Sequence, residues 1–205
     1  QETQPYETSD YSTFIAEIPS TSLELILQDY MTKNTSDIDE KIYYLGSSLE
    51  AMRGTFFRQT MFAEFELALY ETIERGEVLT GDKMSKMYGK ILKRYHGHDE
   101  GVVNIDDLYA NEWMFIPHFY YNMYVFQYAT SKTAGTALYA KILNEGKAGV
   151  DNYKTLLKSG SSDYPYLLLK EAGVDLAKPE PYQAIVKKMN QTMDEIESLL
   201  NQKVR

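Results

Sequence analysis

The amino-acid sequence predicts an all-α protein. Apolar residues recur at three- and four-residue spacing along most of the chain, and no run alternates between apolar and polar residues for long enough to suggest a strand. The clearest apolar stripe lies near the carboxyl end: Ile185, Met189, Met193, Ile196 and Leu200. With 205 residues, 43% hydrophobic and 25% charged, the chain has ordinary globular composition and enough length for a sizeable core. We expect a single helical domain over residues 1–205.

The first predicted helix covers residues 11–33. Ser12 is a plausible N-cap, because its side-chain oxygen can accept a hydrogen bond from a backbone N–H of the first turn. Pro19 lacks an N–H donor and therefore predicts a kink or an irregular turn. Residues 34–37 are a cluster of turn and cap residues that ends this helix.

A longer helix is predicted to follow, ending at about Arg75 before Gly76. Gly46 and Gly54 are possible bends within it. The next helix starts at Thr80 or Asp82, and residues 96–107 form a polar loop behind it. The remaining predicted helices cover residues 108–115, 118–143, 150–158, 163–173 and 181–203, with Pro117 at the first turn of the second of these.

Charge and composition exclude several classes of function. The net charge of -9 disfavours nucleic acid, whose phosphates repel an acidic surface. One basic cluster, Lys86, Lys90, Lys93 and Arg94, is interpreted as a solvated helix face. The absence of cysteine excludes disulfides and a thiol nucleophile, and is compatible with a cytoplasmic protein. No apolar run reaches the roughly 18 residues of a membrane span, so neither a membrane nor a nucleic acid is an expected partner.

Two carboxylates, Glu17 and Glu24, lie seven residues apart on one face of the first helix. Carboxylates among apolar residues are expensive to bury unless a metal or a cation meets them. The spacing alone leaves two interpretations open. The pair could contribute a metal ligand, or both carboxylates could lie on a solvated or salt-bridged helix face.

Residues 54–66 combine four phenylalanines with three charged residues, Arg58, Glu64 and Glu66. The aromatic density indicates a buried helix in which some of these charges pair inside the protein. A core network that fixes helix packing is the favoured interpretation, and a supporting role beside a metal is the alternative.

His118 precedes four tyrosines within three turns, and three of them, Tyr121, Tyr124 and Tyr128, share one face of the predicted helix. A histidine at a helix start is usually structural. Aligned neutral donors could instead polarise a carbonyl group and stabilise its oxyanion.

Other catalytic patterns are absent or weak. The sequence contains no HExxH, GxSxG, P-loop or GxGxxG motif. His96 and His98 stand beside Asp99 and could bind a metal, but the spacing is generic and a plain surface loop is favoured.

Four segments together resemble oligoendopeptidase F and, more distantly, the thimet oligopeptidase-like zinc peptidases. They occur in the order and at about the spacing of that family. The matching runs are residues 4–6 with Tyr11, residues 14–21 with Glu24, residues 57–66, and residues 116–128.

The resemblance implies a zinc endopeptidase that hydrolyses short peptides. In this family HExxH supplies two histidine ligands and a glutamate base, and Glu17 matches the downstream glutamate ligand. Glu24 matches a glutamate that orients a ligand histidine. His118, Tyr121, Tyr124 and Tyr128 match the far wall of the cleft, where a histidine and a tyrosine would stabilise the oxyanion.

The missing HExxH motif separates this chain from a complete peptidase. We expect the chain to be the carboxy-terminal part of the catalytic domain, beginning just after that motif, and its partner to be the N-terminal part of the same protein. Alone it is expected to bind zinc weakly or not at all and to hydrolyse nothing, because one carboxylate cannot replace a three-ligand site. An exposed aromatic cleft wall could also drive self-association.

A non-catalytic helical interaction module is the main alternative, supported by the absent motif, the acidic surface and the helical layout. A carboxylate-bridged di-metal bundle is less well supported, because such sites need Glu-x-x-His pairs on two helices and the sequence has none.

Overall fold

The computed structural model describes residues 2–203, and every regular element in this range is helical. The all-α prediction is therefore confirmed. The α-helices are α1 (Thr13–Ala16), α2 (Ile18–Asn34), α3 (Ile38–Met52), α4 (Arg58–Glu74), α5 (Gly81–Tyr95), α6 (Phe126–Glu145), α7 (Lys147–Lys158), α8 (Pro165–Glu171) and α9 (Glu180–Lys203). Short 3-10 segments cover Tyr6–Thr8, Asp107–Phe115 and Pro117–Tyr120, and a π-helical segment covers Arg53–Phe57.

Local sequence signals account for most helix starts. The Ser12 hydroxyl accepts a hydrogen bond from the Phe14 N–H at the start of α1, at 3.3 Å. The Thr80 hydroxyl caps α5 through the Lys83 N–H, at 3.2 Å. Pro19 lies in the first turn of α2, where its missing N–H costs no helical hydrogen bond.

Two helices of the structure differ from the predicted ones. The helix expected to run to Arg75 is divided into α3 and α4 by the π-helical segment that contains Gly54. The helix expected to start at His118 starts only at Phe126, because Asn122 and Met123 have left-handed backbone angles, with φ 48° and 59°. Tyr121 and Tyr124 are therefore not on a helix, and the predicted helical stripe of three tyrosines is wrong.

Within the described residues, the chain forms two compact units, one from residues 2–56 and 127–203 and one from residues 57–126. A single partial catalytic domain over residues 1–205 remains a prediction. No helix among residues 2–203 combines the length and the apolar character that a membrane span requires.

The first unit has its core where α1 and α2 meet α6, α7 and α8. Glycines allow two pairs of these helices to approach closely. A Cβ added to Gly135 of α6 would lie 2.6 Å from Thr21 Oγ1 of α2, and one added to Gly149 of α7 would lie 2.6 Å from the Lys141 carbonyl oxygen of α6. The buried core residues are Ile15, Ile18, Ala134, Leu138, Tyr153, Leu156, Leu168, Leu169, Ala172 and Val174.

The second unit has an aromatic core between α4, α5 and the following 3-10 segments. Phe65 is its centre, with ring centroids 5.2 Å from Tyr88, 5.4 Å from Phe119 and 6.3 Å from Trp113. The pairs with Tyr88 and Phe119 are edge-to-face, which suits the aromatic quadrupoles and fixes the rings against one another. Phe119 thereby ties the segment that contains His118 to α4.

The charges of residues 58–66 are used in three different ways. Arg58 pairs with Glu112, which also accepts a hydrogen bond from the Tyr88 hydroxyl. Glu64 pairs with Arg94 on a more exposed face. Glu66 is buried, with 2% of its surface exposed. The first two pairs join α4 to its neighbours, as expected of a network that fixes helix packing.

Candidate functional site

Glu17 lies at the junction between α1 and α2. Its backbone, with φ -91° and ψ 0°, ends one helix and begins the next, so the side chain is set at a bend. The Ser20 hydroxyl is 3.0 Å from Glu17 Oε2 and 2.9 Å from the Glu17 carbonyl oxygen. The Thr21 hydroxyl donates to the same carbonyl oxygen at 2.9 Å. The hydroxyls of α2 thus fix the half-buried carboxylate and its backbone.

A cleft of about 1060 Å³ lies beside Glu17 in the first unit. Its walls include Gln4, Tyr6, Tyr11, Pro19 and Ser20, together with the end of α7. This is large enough for a peptide-sized ligand, since ligand pockets usually measure about 300–1,000 Å³.

The N-terminal wall of the cleft is fastened to the end of α7. The Thr3 hydroxyl and the Gln4 amide donate to the Lys158 carbonyl oxygen, at 3.1 and 2.9 Å. A Cβ on Gly160 would lie 2.1 Å from the Thr8 carbonyl oxygen, and Gly160 has φ 53°. Only glycine fits both conditions, so this contact depends on the residue type.

Glu24 lies two turns along α2 from Glu17 and is paired with a buried cation. Its Oε2 is 3.5 Å from the Nζ of Lys132, whose side chain is 1% exposed whereas that of Glu24 is 58% exposed. Burial lowers the pKa of the Lys132 ammonium, and the Glu24 carboxylate opposes this effect. Lys132 was not singled out from the sequence, because a lysine in a polar stretch of α6 gives no sign that it is buried.

His118, Tyr121 and Tyr124 form a ring cluster in the second unit. The His118 ring is stacked on Tyr124, with centroids 5.7 Å apart and an interplanar angle of 13°. Tyr121 meets both rings edge-on, at 6.3 Å from His118 and 6.0 Å from Tyr124. The structure therefore brings three of the four predicted cleft-wall residues together. An imidazole and two phenols held together in this way offer several donors to a developing negative charge.

The segment of the ring cluster is held by α4. Glu66 Oε1 accepts a hydrogen bond from the Met123 N–H at 2.9 Å, and the Tyr70 hydroxyl donates to Asn122 Oδ1 at 3.3 Å. The sequence predicts Glu66 in a core network but does not reveal this contact. The signal available was a glutamate in the middle of a densely aromatic helix.

Tyr128 lies in α6 and is half-buried. It belongs to the first unit, as Glu17 and Glu24 do, whereas His118, Tyr121 and Tyr124 belong to the second. The roles of all six residues, and their union in one site, remain predictions.

The described side chains fit a metal site only in part. No group of three or more histidine, aspartate or glutamate side chains is placed to hold a metal ion anywhere between residues 2 and 203. Glu17, oriented by Ser20 beside an open cleft, fits the part of one ligand. The other candidate metal ligands, His96 and His98, contact the backbone instead. His98 Nδ1 accepts a hydrogen bond from the Ile105 N–H at 2.9 Å, and His96 Nδ1 lies 2.9 Å from the Leu92 carbonyl oxygen.

Comparison with known proteins gives concordant results. Residues 1–188 match the profile of Peptidase family M3. Oligopeptidase PepF of Bacillus subtilis is 47% identical over 197 residues, covering 96% of this chain and 29% of that protein. The chromosomal oligoendopeptidase F of Lactococcus lactis subsp. cremoris is 37% identical over 204 residues, covering 100% of this chain and 33% of that protein.

A solved structure supports the same assignment. The crystal structure of oligoendopeptidase-F from Enterococcus faecium superimposes with a TM-score of 0.85 at 40% identity, covering 94% of this chain and 36% of that one. The chain thus spans about a third of the length of the relatives that it matches. It belongs to peptidase family M3, as an oligoendopeptidase F-like member.

Proposed function

We propose that this chain supplies one side of the active site of an oligoendopeptidase F-type zinc endopeptidase. The observation that carries the proposal is Glu17, whose carboxylate is oriented by Ser20 in the wall of a peptide-sized cleft. Membership of peptidase family M3 supports it. Glu17 would be one zinc ligand, and the histidine ligands would come from an HExxH motif outside these 205 residues.

The described residues would act by orienting and by hydrogen bonding. When bound, zinc supplies a Lewis acid that polarises a carbonyl and acidifies a water molecule. Glu24, held by Lys132, would fix the orientation of a ligand histidine. His118 and a tyrosine of the ring cluster would donate hydrogen bonds to the carbonyl oxygen of the scissile peptide as it gains negative charge. Tyr128 is proposed as a further donor of the cleft wall.

The substrates proposed are short peptides, bound in a channel between this part of the protein and the N-terminal part. The exposed Tyr6 and Tyr11 line the cleft and offer both apolar ring surface and hydroxyls to a peptide backbone. The proposed location is the cytoplasm, with no nucleic acid or membrane as partner. Through its exposed aromatic residues the chain alone is proposed to self-associate, which light scattering at several concentrations would detect as a rising mass.

The test uses the complete peptidase that carries these residues. Replacement of Glu17 by glutamine should remove most of the bound zinc, measured by elemental analysis, and the hydrolysis of a quenched fluorescent peptide. The matched control is Glu71→Gln, an exposed glutamate of α4 in the second unit. Retention of zinc and hydrolysis by Glu17→Gln would contradict the proposed ligand and favour an interaction module.

A further inference from the structure

The turn between Tyr121 and Tyr124 is unusual in its backbone. Asn122 and Met123 are both left-handed, with φ 48° and 59°, and they are the described non-glycine residues with positive φ. Asparagine tolerates this conformation, whereas for a side chain such as methionine it is sterically unfavourable. Neither position is occupied by glycine, which would remove this steric penalty. Contacts with the surrounding structure must therefore hold the turn in its left-handed conformation.

Two side chains of α4, one turn apart, hold this turn. Glu66 Oε1 accepts the hydrogen bond of the Met123 N–H at 2.9 Å, and Tyr70 donates to Asn122 Oδ1 at 3.3 Å. Each left-handed residue therefore has its own partner on the same face of the helix. Sequence separations of 57 and 52 residues show that these are tertiary contacts rather than a local turn motif.

Glu66 is an expensive residue for this position if packing is its only role. It is 2% exposed, and its Oε2 is buried without a hydrogen-bond partner within residues 2–203. A buried polar atom without a hydrogen-bond partner destabilises the folded state, because it has lost its hydration without replacement. Leucine or methionine would occupy the same buried position without that cost. Unlike these apolar side chains, the carboxylate supplies an acceptor for the Met123 N–H.

The turn joins the rings of the proposed oxyanion-binding cluster. Tyr121 precedes it and Tyr124 follows it, and both meet the His118 ring at centroid distances of 6.3 and 5.7 Å. A change of φ at either central residue would swing Tyr124 relative to Tyr121 and His118. The backbone of two residues thus sets the geometry of three side chains.

We propose that Glu66 is a positioning residue: by accepting the Met123 N–H it fixes the left-handed turn that sets Tyr121 and Tyr124 against His118. This inference rests on the proposed function, since the ring cluster is taken to bind the substrate carbonyl. Glu66 does not contact the substrate. It acts through the backbone on donors that must lie within about 3 Å of the developing oxyanion.

The activity test compares three changes in the complete, zinc-loaded peptidase. Glu66→Leu keeps the side-chain volume and removes the acceptor. It should lower kcat by about 10- to 100-fold and change KM by less than about 3-fold, because a misplaced donor weakens the hydrogen bond to the oxyanion mainly in the transition state. Glu66→Gln keeps an acceptor oxygen and should stay within about 3-fold of the wild type. The matched control is Glu64→Leu, which removes a more exposed glutamate of the same helix and should leave kcat unchanged.

A rescue experiment separates positioning from simple loss of stability. Met123→Gly, added to Glu66→Leu, removes the cost of the left-handed conformation and should restore part of kcat. If Glu66→Leu does not fold, Tyr70→Phe provides the test, because it removes only a half-exposed hydroxyl from the same turn. It should then lower kcat by a few-fold, and an unchanged kcat in that variant would count against the proposal.

A second readout does not depend on activity. In the zinc-free protein, the ring resonances of His118 report on the stacked Tyr124 through its ring current. Glu66→Leu should shift them and Glu66→Gln should not. Unchanged resonances together with unchanged kcat in Glu66→Leu would overturn the proposal. If the wild-type peptidase hydrolyses no peptide, the proposed function fails, and the resonances still decide whether Glu66 positions the rings.

Discussion

At the scale of single residues, the buried Glu66 couples stability to pH. Burial raises the pKa of its carboxyl, and the hydrogen bond from Met123 only partly opposes this. A raised pKa means that the folded state binds the proton more tightly than the unfolded state does. The stability that Glu66 contributes is therefore present below the unfolded pKa of about 4.3 and is lost as pH rises through the folded value.

Glu66→Gln should remove this pH dependence. The free energy of unfolding of the variant relative to the wild type should increase with pH above about 4.3, by at most about 1.4 kcal/mol per pH unit, until the folded pKa is passed. Urea denaturation at several pH values between about 4 and 8 measures the difference. Glu71→Gln, at an exposed position, is the control, and parallel pH profiles for Glu66→Gln and the wild type would contradict the expectation.

A second residue-scale prediction concerns the ring cluster. Tyr124→Phe in the complete peptidase keeps the ring that stacks on His118 and removes the hydroxyl, so kcat should fall by about 10- to 1000-fold if that hydroxyl stabilises the oxyanion. Tyr120→Phe is a close control, since Tyr120 is 84% exposed and only four residues away. Steady-state kinetics with one peptide substrate decides the matter; equal kcat for both variants would remove Tyr124 from the mechanism.

The candidate site was predictable to different degrees for physical reasons. Glu17 lies at the N-cap of α2 and Glu24 lies two turns into that helix, so the helical period sets their spacing and it could be read from the sequence. The grouping of His118 with Tyr121 and Tyr124 was anticipated, but its geometry was not, because nothing local marks Met123 as left-handed. Lys132 and Glu66 were missed as partners, since their burial depends on distant parts of the chain.

At the scale of elements, helix ends were easier to predict than helix interruptions. Ser12 and Thr80 cap their helices through hydroxyls, which is a local interaction visible in the sequence. Gly54, expected as a possible bend, does lie in the π-helical segment, whereas nothing local in the sequence marks the left-handed Asn122 and Met123 that delay the start of α6 to Phe126. The predicted helices at the carboxyl end agree with α7, α8 and α9 to within a few residues.

Close helix packing predicts opposite effects for two glycine-to-alanine substitutions. In α6, Gly135→Ala would place a methyl group 2.6 Å from Thr21 Oγ1, so we expect a loss of about 1–3 kcal/mol in unfolding free energy. In α3, a Cβ at Gly46 meets nothing within 4 Å, so Gly46→Ala should stabilise the protein by up to about 1 kcal/mol. Denaturation midpoints of the two variants test this. A neutral Gly135→Ala would mean that α2 and α6 can separate without penalty.

At the scale of the whole molecule, the proposed function requires groups beyond those of this chain. It spans about a third of the length of its relatives, and its 205 residues contain no HExxH motif. Glu17 is already oriented by Ser20, and the ring cluster is already assembled. The fold therefore pre-organises its own groups, while under the proposed function metal affinity would depend on further ligands outside these 205 residues.

Because the proposed metal ligands are divided between this chain and another segment, we predict that activity requires that second segment. The 205-residue chain alone should show no chelator-sensitive hydrolysis of a quenched fluorescent peptide, because one carboxylate holds zinc too weakly. Addition of a separately produced segment containing HExxH should restore hydrolysis, and the rate should saturate with the concentration of that segment. A single polypeptide that contains both parts should be active at any concentration, because linkage makes their association intramolecular. The same segment with both motif histidines replaced by alanine is the control. Chelator-sensitive hydrolysis by the chain alone would show that its own residues complete a metal site.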